Sequence, residues 1–354
     1  MEKFRQVLFV HLLSKLHQDR TARSAYHLLK GKRSAQTIQD ARLYQMLEYF
    51  GAVPAWSDEV FERDIFELEA KNYIEKGREE GFYTVTPAGN RAVQAGFNMF
   101  PFSRSFHGFH FKDDAPIFWE RLQLAVQTVS FITAGNTSFV PISSKFEVQQ
   151  QIRKWYYRYD DKLQLSRSLL QELYTGLAEL SDKEACLLTS QLTGRDGVGL
   201  TIRQLSRQQD EEYIRTLFWG VVHHLTATVK SSPEQFPVLH ALSYDLTERS
   251  TLTYTAQKTL LLLEQGYSFS DIVQFRKLKP STIEDHFVEI AGAVEGFRFN
   301  ELVSEQVKQK VVQVSKQENT KRLKLIKMSL DAEQIEATYF EIRLALALGG
   351  KEEL

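Results

Sequence analysis

Apolar residues recur at i, i+3 and i+4 along almost the whole chain, with glutamine, glutamate and lysine between them. Against this, 18 glycines and 8 prolines are sparse punctuation. The period is that of amphipathic helices and predicts a mainly α protein. Near the start it predicts a helix over about Lys3 to His17 and a short one at Ala25 to Leu29. Lys32 and Arg33 fall in the following turn, with Lys30 just before them. Ser34 is placed to cap the next helix, whose buried stripe is Ile38, Leu43, Met46, Leu47 and Phe50. After Trp56 a further helix turns Phe61, Ile65 and Leu68 inward.

The period then changes from helical to alternating. Tyr73 to Lys76 and Phe82 to Val85 flank a glycine-bounded turn, which predicts a β-hairpin, and Thr86 followed by Pro87 starts another helix. Three helices and a hairpin follow the order of a winged helix, and "FYTVTPAG" resembles the wing and exit of that fold. The wing tip, Arg78, Glu79 and Glu80, departs from a DNA-binding wing because its acids repel phosphates. Residues 1–97 are therefore read as a winged-helix-like domain.

From Asn98 to His110 the chain is aromatic and glycine-bearing, and is read as a linker packed on a surface. Helices are predicted near Ile117 to Phe131, Lys145 to Tyr157, Lys162 to Leu180, Asp182 to Leu192 and Glu211 to Leu225. The glycine-rich "TGRDGVGL" interrupts them, and "KSSPEQFPVLHALSYDL" leads out. These features define a helical middle domain over residues 98–250.

The last domain, 251–354, opens with a helix from Thr255 to Gln265, ended by Gly266 in a left-handed conformation. Ser268 and Asp271 form a capping-box-like start for a second helix. A turn runs from Phe275 to Pro280, and a third helix starting near Ser281 buries Ile283, Phe287, Ile290 and Val294. This is a trihelical helix-turn-helix pattern. The predicted outer face of its third helix holds Ser281, Thr282, Glu284, Asp285 and Glu289, and these carboxylates disfavour groove reading. Arg276, Lys277 and Lys279 in the turn suit contact with a phosphate backbone. Beyond it, one long helix and a shorter one are expected. Lys308, Lys310, Lys316, Lys321, Arg322, Lys324 and Lys327 face a single acid, Glu318, over that span, either as a solvated face or as a phosphate-binding one.

Composition narrows the classes. A chain of 354 residues with 43% hydrophobic residues can bury a sizeable core in two or three domains. A net charge of -1 provides no global field toward nucleic acid, so any DNA site must be a local patch. The single cysteine, Cys186, excludes a zinc site of several thiolates and suits a reducing cytoplasm. No run approaches the ~18 apolar residues of a membrane span, and the first twenty residues read as a folded helix rather than a signal peptide.

"TAQKTLLLLEQGYSFSDIVQFRKLKPSTIEDHFVEI" with "RLKLIKMSLDAEQIEATYFEIRLALA" resembles the helicase-type helix-turn-helix module at the C-terminus of some RecQ-type helicases. The whole chain resembles a YpbB-like bacterial family whose genes neighbour a RecQ-type helicase lacking that module. The resemblance implies an accessory subunit with DNA and a RecQ-type helicase as partners. Thr37-Ile38-Gln39-Asp40 and Thr282-Ile283-Glu284-Asp285 echo one another, each after a basic turn.

Catalytic chemistry is not signalled. "GRDGVGL" lacks the lysine of a phosphate-binding loop, so the chain is not expected to be a helicase motor. His107, His110, Asp113 and Asp114 lack a second ligand cluster, and no metal, cofactor or catalytic residue is assigned. "RKWYYRYDDK" could stack single-stranded bases or pack its aromatics inward, and packing is favoured because some of its consecutive aromatics must face the core. The candidate DNA contacts are Lys30, Lys32, Arg33, Arg276, Lys277, Lys279, Ser281, Thr282, Lys321, Arg322, Lys324 and Lys327. The expected function is a DNA-binding accessory factor of weak sequence specificity, with a transcription regulator or a protein-only adaptor as alternatives.

Overall fold

The computed structural model describes residues 3–77, 79–246, 252–294 and 302–349. The protein is mainly helical with one two-stranded sheet among the described residues. It divides into two compact units. Of the described residues, the first gathers those from 6 to 96 and from 252 to 349, and the second those from 97 to 246 with Lys3–Arg5.

The first unit begins with α1 (Phe4–Leu16), α2 (Ala22–Leu29), α3 (Ala35–Leu43) and α4 (Asp58–Ala70), followed by β1 (Ile74–Lys76), β2 (Tyr83–Val85) and α5 (Pro87–Met99). An aromatic core forms because Phe9, Tyr26, Trp56 and Phe61 meet edge to face, with ring centroids 5.3–5.6 Å apart for Tyr26–Trp56, Phe9–Trp56 and Phe9–Phe61. Buried Asp64 accepts from Trp56 Nε1 at 3.1 Å and Gln6 Nε2 at 2.8 Å, so the polar groups inside this core are paired. Ser34 caps α3 by accepting from the Thr37 amide.

That helix is shorter than its apolar stripe suggests. Gln45 turns left-handed (φ 52°), the Met46 N–H reaches back to the Ala41 carbonyl at 2.7 Å, and Leu47–Tyr49 form a separate 3-10 turn. The hairpin is antiparallel, with Ile74 opposite Val85 and Lys76 opposite Tyr83. Gly89 lets α5 approach β1, since a Cβ there would lie 2.1 Å from the Tyr73 carbonyl oxygen. Of the expected wing tip, Arg78 lies outside the described residues. Glu79 is paired with this chain's own Arg322 at 2.8 Å, so its charge is already engaged.

The second unit holds α6 (Gly108–Phe111), α7 (Asp114–Thr133), α8 (Phe146–Tyr157), α9 (Lys162–Leu177), α10 (Asp182–Thr189), α11 (Ile202–Leu205), α12 (Glu211–Ser231) and α13 (Pro237–His240). Helices α7, α9 and α12 pack together. The aromatic segment after Asn98 contributes Phe100, Phe106 and Phe109 to this core. His223 is held neutral, its pKa pushed down to about 3 by burial, and its Nδ1 accepts the His107 amide at 3.1 Å. Glu172 on α9 accepts the Val238 and Leu239 amides at 3.0 and 2.8 Å, capping α13 from a neighbouring helix.

The first unit is completed by α14 (Tyr254–Glu264), α15 (Phe269–Arg276), α16 (Pro280–Ala293), α17 (Glu305–Gln317), α18 (Leu323–Ala332) and α19 (Tyr339–Gly349). The expected long helix and shorter one are three helices instead. Asn319 turns left-handed (φ 47°) and the Thr320 amide bonds back to the Ser315 carbonyl at 3.1 Å, ending α17 before Lys321. Ile283, Phe287, Ile290, Val311, Ile326 and Ile342 share the core of these helices, and α3 packs on α16 and α19. The two ends of the sequence therefore fold as one body.

Candidate nucleic-acid interface

Helices α14, α15 and α16 form the helix-turn-helix. Thr253 caps α14, and Gly266 (φ 87°) ends it. A complete capping box starts α15. Ser268 Oγ accepts the Asp271 amide at 3.2 Å, and Asp271 Oδ2 accepts the Ser268 amide at 3.1 Å. Lys277 then turns left-handed (φ 52°), and Pro280 takes the first position of α16.

The three cations of the turn have different fates. Arg276 is a strut: its Nη1 donates to the Thr255 carbonyl at 2.6 Å and to Thr259 Oγ1, and lies 3.3 Å from His286 Nδ1. Burial, with help from this guanidinium, pushes the His286 pKa down to about 4, so the imidazole is neutral and its Nδ1 accepts. Lys277 and Lys279 are exposed at the entry to α16, with exposed Ser281 and half-buried Thr282 beside them.

The outer face expected for α16 needs one correction. Glu289 is only 1% exposed; it accepts from Thr253 Oγ1 at 3.0 Å and from the Thr253 amide, which caps α14 from across the domain. Burial raises its pKa, opposed by the Thr253 bonds and by the charges of Arg42 and Arg33. The reason is that α16 is packed by α19 and α3 as well as by α14, and a single-stripe reading of the helix cannot see the further contacts. Asp285 is paired with Arg343 at 2.6 Å.

Residues 255–346 match a family model described as a helix-turn-helix domain. Protein YpbB of Bacillus subtilis (strain 168) is 32% identical over 343 residues, covering 96% of both chains. The chain belongs to the YpbB family. No solved structure matches it.

In this YpbB-family chain the echoed helices α3 and α16 lie against each other. Gln39 Nε2 is 3.5 Å from the Asp285 carbonyl, and Arg42 Nη1 donates to the Glu289 carbonyl at 2.9 Å. The stretches that repeat one another thus meet at an internal contact. The basic run is also partly consumed. Lys321 Nζ donates to the Leu43 carbonyl and lies 5.3 Å from the Tyr44 ring centroid. Arg322 pairs with Glu79 and stands over the Phe82 ring. Lys327 pairs with Asp331 one turn on, and Lys310 pairs with Glu333. Lys324 is exposed.

At the other basic turn, Lys30 donates to the Tyr26 hydroxyl at 3.1 Å, Lys32 is exposed, and Arg33 is half-buried toward Glu289. The candidate cations therefore separate into exposed ones, Lys32, Lys277, Lys279 and Lys324, and ones that fasten the fold. Of the metal candidates, Asp114 is spent on Lys230 at 3.0 Å. Sequence reasoning missed Asp19, Arg42 and Thr320, which join the two ends, because no local pattern marks a partner 247 or 301 positions away.

Proposed function

We propose that this chain is a non-enzymatic, cytoplasmic accessory factor of a RecQ-type helicase that holds DNA by its phosphate backbone, with little sequence preference. The observation that carries the reading is the pair of exposed lysines, Lys277 and Lys279, at the entry to α16 of a helix-turn-helix domain. Backbone contacts position a duplex without reading it. The packing of α16 against α3, with Glu284 on the part of it left half-buried, argues against base-edge readout, and so against a transcription regulator. The helicase partner is supported by the resemblance of the C-terminal helices to the module carried by some RecQ-type helicases. Among the described residues no helix is long and apolar enough to cross a membrane.

The test uses the full chain. Pull-down with a purified RecQ-type helicase, alongside duplex binding across a salt series, should show association and a steep loss of DNA affinity with salt. A chain that binds the helicase but shows no salt-dependent duplex affinity would be a protein-only adaptor. That second reading is favoured by the packing of α3 on α16, which withdraws both echoed helices into the fold.

A further inference from the structure

We infer that the second unit carries a binding surface for single-stranded nucleic acid, built by the outer face of α8 and by Tyr244. It goes beyond the helix-turn-helix reading and uses none of its residues.

Helix geometry splits the aromatic and basic cluster of α8. Trp155 and Tyr156 turn inward, at 3% and 7% exposure, and Trp155 Nε1 donates to the Val238 carbonyl at 3.1 Å. Arg153, Lys154, Tyr157 and Arg158 are left on the exposed side. Tyr244 projects beside them at 62% exposure, with the Arg158 guanidinium 5.4 Å from its ring centroid. Tyr157 is 72% exposed, and half-buried Lys162, 5.7 Å from its centroid, is fastened to the Tyr156 carbonyl at 2.7 Å. Lys154, Arg158 and Tyr244 line one shallow groove with Gln151, Trp155 and Leu242.

Among the described residues Arg153, Lys154 and Arg158 form no ion pair. Asp245, next to Tyr244, gives both its oxygens to Arg121, at 2.6 and 2.9 Å, and also accepts from Gln151. Asp161 caps α9 by accepting the Gln164 amide. Two nearby acids, exposed Glu147 on α8 and exposed Asp160 just beyond it, form no ion pair with the band.

Exposed rings alternating with cations fit a strand whose bases are free to stack and whose phosphates face the cations. A duplex hides its base faces, so the surface selects single strands and tolerates any sequence.

The experiment compares full-length wild type with a Lys154→Ala/Arg158→Ala/Tyr244→Ala variant, using fluorescence anisotropy on labelled oligo(dT) and on duplex of equal length. All three side chains are exposed, and a thermal melt confirms folding. The variant should lose roughly tenfold or more in oligo(dT) affinity while duplex affinity is unchanged, and Tyr244→Phe, which keeps the ring, should bind as wild type. Lys277→Ala/Lys279→Ala should do the reverse, losing duplex and keeping oligo(dT). A chain that holds oligo(dT) but ignores duplex would sink the helix-turn-helix reading and leave this surface standing. Equal oligo(dT) binding by wild type and the triple variant, or none by wild type, overturns it.

Discussion

The Asp19 carboxylate accepts a hydrogen bond from the Thr320 hydroxyl at 2.6 Å, across 301 positions of sequence. The same carboxylate accepts the Lys321 amide at 2.6 Å and the Tyr44 hydroxyl at 3.1 Å. One buried acid thus satisfies three donors and fastens the segment between α17 and α18 to the end of α1. Asp19→Ala would leave those donors unpaired. It should lower stability by about 2–4 kcal/mol, read as a urea midpoint shift, whereas Thr320→Val, which removes a donor and replaces it with a methyl, should cost about 1 kcal/mol. An Asp19→Ala midpoint equal to wild type would mean the contact is dispensable.

Acid should weaken the first unit before its carboxylates titrate widely. His286 and His11 both have pKa values lowered from 6.5 to about 4, chiefly by burial, with a smaller push from the charges of Arg276 and Lys15 respectively. An unfolded chain takes up these protons near pH 6.5 while the folded one resists until about 4. Their stabilising contribution is therefore complete above the unfolded value and is lost as pH falls toward the folded one. Denaturation midpoints measured at pH 7, 5.5 and 4.5 should fall in that order, and His286→Gln should flatten the slope.

Gly89→Ala tests how β1 meets α5. The added methyl would collide with the Tyr73 backbone, which cannot rotate away as a side chain can. A loss of about 1–3 kcal/mol is expected, and greater protease sensitivity near the hairpin should accompany it. Wild-type behaviour would show that the hairpin slides freely on α5.

Charge removal should separate the cations that bind from those that fasten. Lys277→Ala/Lys279→Ala should reduce the salt slope of duplex binding by about 1–2 while leaving the melting temperature unchanged. Arg322→Ala, which breaks the pair with Glu79, should do little to the slope beyond the loss of one surface ion pair, worth at most ~1 kcal/mol. If Arg322 dominates DNA binding instead, the division drawn between the two groups fails.

The amino-acid sequence alone determined what local physics controls. The helical period, the Ser34 cap, the Ser268–Asp271 capping box, the Gly266 stop and the alternating hairpin all depend on residues within a few positions of each other, and each appears in the fold. Helix ends built on glutamine or asparagine were less legible. Gln45 and Asn319 adopt left-handed conformations that glycine would have advertised, so α3 and the basic run are shorter than their patterns suggest. Only tertiary structure decided which charges are free. Lys321 and Arg322 look like Lys277 and Lys279 in sequence, but a partner on α3 or the hairpin is invisible until the two ends of the chain meet. Glu289 moves from an outer face to a buried cap for the same reason: an amphipathic pattern reports one packed side of a helix, and α16 is packed by α19 and α3 besides α14.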